Sequence, residues 1–277
     1  MTPAEAYAAQ IDAVNAQQAR LQAGSGEGGL WERMARQFRM DPRRAPDRNL
    51  GAIAGLIEPA DVVVDVGGGA GRVCLPLALH CREVINVEPS PGMGEQFRES
   101  AAEAGIANAR VVKAEWMAEH GAAGDVTVVC NVTYFVREIV PFVGKLVAAS
   151  RCRVIISVWS VPPPASNEAL YAAVMGEAQV RPPSHRELLP VLWDMGILPD
   201  VQVLPETRVP GRPQPTQTRT EAIESCLGLL RPKDAAAARA RFEANFDQLF
   251  RKDDQGFVPA WRAEAREMLI TWETNGR

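Results

Sequence analysis

From Asp61 to Trp159 the sequence alternates short runs of β-branched residues with stretches of helical periodicity, and this rhythm constrains the fold more than any other feature. Strands are predicted at DVVVDV (61–66), EVINVE (83–88), ARVVKA (109–114), DVTVVCNV (125–132) and RVIISVW (153–159). Helices near 71–81, 90–105 and 137–150 separate them, which is the order of a parallel sheet covered by crossover helices. The run VPPPAS (161–166) then breaks the chain, and a helix follows from about Ser184 to Met195. Two strand-like segments remain, VQVLPETRV (201–209) and REMLITWET (266–274), separated by a long helical insertion at about 218–250. Without a core crossover helix between them, these two are expected to pair antiparallel at one edge of the sheet.

Upstream of Asp61 the reading is helical. Residues 3–22 carry apolar positions at helical spacing and end at the loop GSGEGG (24–29). A short amphipathic helix through Phe38, a Pro-broken loop, and a helix with Asp47 as N-cap come next. These pieces precede the core. The expected division is a helical cap or lid at 1–58, a core at 59–217 and 254–277, and an insertion at 218–253 that adds to the cap. Removing about the first 45 residues is then expected to leave a foldable core, weaken ligand retention and abolish turnover. Trp31, Phe38 and Tyr171 are the aromatic candidates to face the substrate pocket, with packing in the core as the alternative reading. The basic run from Arg36 to Arg48, with Arg39, Arg43 and Arg44 inside it, reads as a solvated helix end.

The densest chemical signal is Val64-Asp65-Val66-Gly67-Gly68-Gly69-Ala70-Gly71-Arg72 at the end of the first strand. A strand that turns sharply while its backbone approaches a ligand needs glycine at several nearby positions, and the following helix aims its amides at the same place. The dinucleotide fingerprint GxGxxG fails, because its third glycine falls on Arg72. What remains, Asp65-Val-Gly67-Gly-Gly69-Ala-Gly71, resembles the acidic-x-Gly-x-Gly-x-Gly motif of class I S-adenosylmethionine-dependent methyltransferases.

About 20 residues after the glycines the second strand ends in Val87-Glu88-Pro89-Ser90-Pro91-Gly92-Met93. A carboxylate there can accept two hydrogen bonds from a ribose diol, so Glu88 is the candidate ribose ligand and Ser90 the cap of the next helix. The resemblance implies an α/β, Rossmann-like fold with a mostly parallel seven-stranded sheet, an antiparallel edge hairpin and helical cap additions, and S-adenosyl-L-methionine as cofactor. It also implies cofactor-binding roles for Asp65, Gly67, Gly68, Gly69, Gly71, Glu88 and Pro89, with Met93 against the adenine. Ala114, Glu115 and Trp116 stand where the family places a polar contact to the adenine amino group. Family members usually show Asp then Ala there, whereas this chain has Ala114 then Glu115. After the fourth strand, Cys130-Asn131-Val132-Thr133-Tyr134 places Asn131 in the cofactor set and Tyr134 as the catalytic candidate. The order Asn131-Val132-Thr133-Tyr134 lacks the two prolines of the Asn-Pro-Pro-Tyr motif of amino-methylating nucleic-acid enzymes, which argues against a base as substrate. His120 and Glu115 are further candidates for a general base, needed only where the nucleophile has a proton to lose. The resemblance extends over roughly residues 30–210 and also covers bacterial methyltransferase-domain proteins of unassigned substrate.

Composition narrows the partner. The net charge of −4 disfavours a phosphate backbone, so no nucleic-acid partner is expected and a small-molecule methyl acceptor is. Cys74, Cys81, Cys130, Cys152 and Cys226 are odd in number and widely spaced, as in a reduced cytoplasmic protein; His80, His120 and His185 are scattered, and no metal is expected. No secretory signal and no apolar run of about 18 residues is visible, so neither export nor a membrane partner is expected. Oligomeric state and acceptor are not written in the sequence. Two alternatives stay open: a non-catalytic S-adenosylmethionine-binding scaffold or sensor, and an NAD-dependent oxidoreductase.

Overall fold

The structure, a computed structural model, describes residues 1–24, 29–205, 215–254, 256–261 and 265–274. Its strands are β1 (Val62–Val66), β2 (Glu83–Val87), β3 (Ala109–Val112), β4 (Gly124–Cys130), β5 (Ser150–Trp159), β6 (Asp200–Val203), β7 (Phe250–Asp253), β8 (Gly256–Pro259) and β9 (Glu267–Glu273). Seven of them form one sheet in the order β3-β2-β1-β4-β5-β9-β6. Pairs from β3 through to β5 are parallel, whereas β9 runs antiparallel to both β5 and β6. The edge pairing expected of the last two segments therefore holds for the described residues, with 206–209 lying outside them. The chain leaves β1 toward β2 and β3 and returns to β4 on the other side. The carboxyl ends of β1 and β4 thus flank a topological switch point, where open α/β sheets bind ligands.

The helices are α1 (Pro3–Leu21), α2 (Gly29–Met34), α3 (Arg48–Ala54), α4 (Cys74–Ala78), α5 (Pro91–Glu103), α6 (Ile139–Ala149), α7 (Glu168–Met175), α8 (His185–Asp194), α9 (Arg219–Leu230) and α10 (Ala235–Leu249). Each face of the sheet has its own core because side chains alternate along a strand. Val62, Val64 and Val66 of β1 face α1, α6 and α8, while Val63 faces α3, α4 and α5. Burial on both faces is why these strands read as unbroken Val and Ile runs. The helix after β1 is shorter than expected, since Gly71 is left-handed (φ 85°) and the turn persists to Val73. No helix among the described residues is long and apolar enough to cross a membrane.

Three expectations need correction. The first helix does not stand outside the core: Tyr7 (1% exposed) and Ile11 share a cluster with Val64, Tyr134 and Leu188, and the Tyr7 hydroxyl donates to the Thr133 carbonyl at 2.6 Å. The helical insertion is two helices, α9 and α10, continued by a β7–β8 hairpin, and its small core recruits Leu170, Tyr171, Val174 and Met175 of α7. Tyr171 is consequently a packed residue of that satellite core and not a pocket-facing one. Finally, the basic run is docked in part, with Arg36, Arg43 and Arg48 exposed and Arg39 and Arg44 half-buried. Arg39 pairs with Glu99 at 3.2 Å and with Glu103, and Arg43 Nε donates to the Ala104 carbonyl at 2.8 Å, tying the loop to α5.

Candidate functional site

The glycine turn is built from two different constraints. Gly67, Gly69 and Gly71 have positive φ (68°, 55° and 85°), a region that L side chains rarely adopt. Gly68 has no such φ, yet a Cβ there would lie 2.2 Å from Asp65 Oδ2 and 2.8 Å from Asn86 Oδ1. Above Gly69 a Cβ would meet only Met93 Sδ, at 3.5 Å, so the backbone there is bare.

Asp65 (2% exposed) ends β1 directly beneath Gly68. Burial pushes its pKa up to about 6; the Cys74 thiol that donates to it and the Arg72 charge pull the other way, and Glu88 adds to the rise. Glu88 ends β2. Its Oε2 accepts from Gly69 N at 3.0 Å and its Oε1 from Ser90 N at 2.8 Å, so the carboxylate locks the glycine turn to the next helix. Burial raises its pKa and those two amides partly offset the rise. Each carboxylate oxygen retains a second lone pair for a ligand hydroxyl.

Asn86, wholly buried in β2, accepts from Gly68 N at 3.2 Å and donates to the Gly69 carbonyl at 2.9 Å. Sequence reasoning missed it, although a lone carboxamide inside EVINVE is a legible sign that something polar lies beside the strand.

Pro89 leads into the cap of α5, where Ser90 Oγ accepts from Met93 N. The N-terminal segment closes over this end. Glu32 of α2 accepts from Ser90 Oγ at 3.0 Å and Gly92 N at 2.8 Å, and Met93 is buried against Ala35, Ala70 and Phe38. Trp31 (42% exposed) makes edge contacts with Phe38 at 5.8 Å and Phe135 at 5.7 Å.

The segment after β3 is less concentrated. Ala114 packs against the α1-side core and Trp116 is buried in it, its Nε1 lacking a hydrogen-bond partner. Lys145 Nζ lies 5.2 Å from the Trp116 ring centre, and Glu115 is exposed to solvent. His120 is committed to its own loop: Nδ1 accepts from Ala122 N at 3.1 Å and Nε2 faces the Trp116 carbonyl at 3.0 Å. Those partners assign the neutral, Nε2-protonated ring, with no nitrogen left over for a substrate proton.

At the end of β4, Asn131 takes a left-handed conformation (φ 63°), which asparagine tolerates better than most residues. Its Oδ1 accepts from the Tyr134 hydroxyl at 3.0 Å, and that hydroxyl accepts in turn from Trp159 N. Tyr134 is buried beneath the turn, and burial keeps its phenol far above the ordinary value, so it stays protonated. The structure thus gathers Asp65, the glycines, Glu88, Pro89, Met93, Asn131 and Tyr134 at the carboxyl ends of β1, β2 and β4. It leaves Glu115 and His120 outside that group.

Residues 63–147 match the model of a family described as a methyltransferase domain. No curated protein matches the sequence. Among solved structures the fold is similar to YcgJ from Bacillus subtilis, with a TM-score of 0.52 and 15% identity over 81% of this chain and 97% of that one. It is also similar to a Bacillus halodurans C-125 protein assigned as a methyltransferase, with a TM-score of 0.54 and 12% identity over 81% and 96% of the two chains. The [4+2]-cyclase SpnF is similar too (TM-score 0.51, 12% identity, 83% of each chain). These identities establish the fold alone, and a fold does not dictate the reaction it hosts.

Proposed function

We propose that the chain is a class I S-adenosylmethionine-dependent methyltransferase that methylates a small-molecule acceptor by in-line displacement at the carboxyl ends of β1 and β4, a reading supported by the methyltransferase-domain match over residues 63–147. S-adenosylmethionine, the cofactor of that family, supplies an electrophilic methyl group on a sulfonium. The residues present fit it. The bare backbone over Gly69 leaves room for a ligand to approach, and Glu88 is held rigidly by two amides with lone pairs to spare for a ribose diol. Asp65, Gly67, Gly68, Gly71, Pro89 and Met93 complete that half of the site.

The observation that carries the proposal is the Glu88 carboxylate pinned between Gly69 N and Ser90 N, which joins the glycine turn and the second strand into one rigid receptor. Methyl transfer asks mainly for alignment and exclusion of water, because the positive charge is lost as the bond forms. Asn131 is aligned by Tyr134, and the Trp31 ring makes edge contacts with Phe38 and with Phe135, the residue after Tyr134. We assign Tyr134 as a positioning residue: a phenol held protonated and bonded on both sides fixes Asn131 and does not take a proton. The overall charge of −4 and the N-terminal cover favour a small acceptor over a polymer.

The test is incubation of the protein with methyl-labelled S-adenosylmethionine and a fractionated metabolite extract. Label should pass into a low-molecular-weight fraction, and the transfer should be lost in Glu88→Ala. Cofactor binding without transfer to any fraction would instead favour the scaffold or sensor.

A further inference from the structure

The outer strands of the seven-stranded sheet, β3 and β6, are finished differently. β3 carries the exposed Arg110, paired with Glu83 at 2.9 Å, and is followed by the exposed Lys113; charged side chains of this kind keep a further strand from adding to an edge. β6 reads Asp200-Val201-Gln202-Val203, without Lys, Arg or Pro, and is exposed along its whole length. Its two valines lie opposite Ile270 and Met268 of β9, which are buried in the core on the α1 side, yet Val201 is 42% and Val203 57% exposed. The exposed Trp193 and Leu198 belong to the stretch that leads from α8 into this strand.

The hydrogen bonds to β9 fix what the edge offers. Leu204 N donates to the Glu267 carbonyl at 2.8 Å, in register with the β6–β9 ladder. Bonding alternates along an antiparallel strand, so Asp200, Gln202 and Leu204 turn their backbone groups to β9, while Val201 and Val203 turn theirs outward. No described strand pairs with that outward side. An open edge with exposed apolar side chains is a template for another strand.

Charge selects which strand. Asp200 opens β6 and has no hydrogen-bond or ion-pair partner among the described residues. Arg266 is exposed at the other end, where its Nη1 donates to the Pro205 carbonyl at 2.7 Å. A second copy of β6, placed antiparallel across a two-fold axis, sets the start of each strand against the end of the other. With the axis at Gln202, Val201 of each copy lies opposite Val203 of the other. Every outward N–H then meets an outward C=O, and the valines form cross-strand apolar pairs. Asp200 faces the end of the second strand that carries Arg266, once on each side of the axis.

We propose that β6 is a homodimerisation edge, through which two copies of this chain join their sheets by antiparallel β6–β6 pairing about an axis at Gln202. The assignment is independent of the reaction that the crevice hosts.

The test is sedimentation equilibrium of the full chain over a range of concentrations, with circular dichroism of each protein. Wild type should be a dimer that dissociates on dilution. Val203→Pro removes an outward N–H from each copy without touching the bonds to β9, and should weaken the dimer about tenfold or more with an unchanged circular-dichroism spectrum. Asp200→Lys sets like charges together on both sides of the axis and should weaken it about tenfold, less at high salt. Adding Arg266→Glu to Asp200→Lys should restore most of that loss. Damage to the fold cannot imitate such a rescue, because a second lesion adds to the first. Wild type that stays monomeric at every concentration overturns the proposal and leaves the edge to a partner of another kind. A dimer equally stable in Val203→Pro and Asp200→Lys overturns it too, since its interface then lies elsewhere, and a double variant weaker than Asp200→Lys overturns the paired charges and the two-fold register with them.

Discussion

Gly68→Ala adds a single methyl group at a position whose backbone any residue could adopt, yet the structure makes it a severe change. The new Cβ would sit 2.2 Å from Asp65 Oδ2, 2.6 Å from Asp65 Cγ and 2.8 Å from Asn86 Oδ1, whereas ordinary contact begins near 3.4 Å. One of these groups must move by about 1 Å, and neither is free to. Asp65 is buried and bonded to Cys74; Asn86 is bonded to Gly68 N and to the Gly69 carbonyl through the two ends of its carboxamide. Overpacking of this kind costs about 1–3 kcal/mol, and release of the two Asn86 hydrogen bonds adds about 1 kcal/mol each. The expected loss is therefore about 3–5 kcal/mol, read as a lower urea midpoint and a fall in Tm of about 2–4 °C per kcal/mol. Gly69→Ala is the control. Its φ of 55° imposes about 1–2 kcal/mol of strain, but its Cβ meets only Met93 Sδ at 3.5 Å. A Gly68→Ala protein that unfolds at the wild-type midpoint, or is more stable than Gly69→Ala, would refute the packing described beneath the turn.

Asp65→Asn tests the buried carboxylate. Its pKa is raised in the fold from 3.8 to about 6, so the unfolded chain ionises first and stability should fall as pH rises from about 4 to 6, by about 3 kcal/mol in all. That decline should be missing from the variant, and urea titrations showing parallel pH profiles would contradict the assignment. Tyr134→Phe should cost about 1–3 kcal/mol, because Trp159 N–H loses its acceptor; it should lower kcat with little change in cofactor affinity. A basic limb in the wild-type pH–rate profile that disappears in Tyr134→Phe would instead make the phenol a general base. Ile11→Ala should cost about 2–4 kcal/mol by denaturation, and deletion of residues 1–23 should abolish cooperative unfolding; a truncated chain that still unfolds cooperatively would return α1 to the status of an appendage.

The parallel half of the fold was legible because burial on both faces leaves its mark as Val and Ile runs, from DVVVDV to RVIISVW. The β7–β8 hairpin was not: FRKD carries three charged residues and its burial rests on Phe250 alone, stacked 5.1 Å from Phe246 in the satellite core. The Ala- and Gln-rich composition of α1 obscured the Tyr7, Ile11 and Val14 stripe, whose spacing was nonetheless that of a buried helix face. Within the site, Asp65, the glycines and Glu88 could be named from the turn they require. Their partners could not, since Asn86 lies 18 residues from the Gly68 amide and Glu32 lies 60 from the Gly92 amide. Arg44 illustrates the limit most sharply. In sequence it is one arginine of a basic run, and only the folded loop shows that its guanidinium donates to the carbonyls of Arg72 and Asp41.

The most direct test of the account is calorimetric titration of wild type and Glu88→Ala with S-adenosylhomocysteine and with NAD, with Tm recorded for both proteins. Wild type should bind S-adenosylhomocysteine at one site and ignore NAD. Glu88→Ala, once corrected for the folded fraction, should bind it about 30- to 1000-fold more weakly, as expected for loss of two charge-assisted hydrogen bonds worth about 2–4 kcal/mol. Binding of NAD in place of S-adenosylhomocysteine, or equal affinity of the two proteins for S-adenosylhomocysteine, would contradict the claim that the crevice beside the glycine turn is a methyltransferase cofactor site.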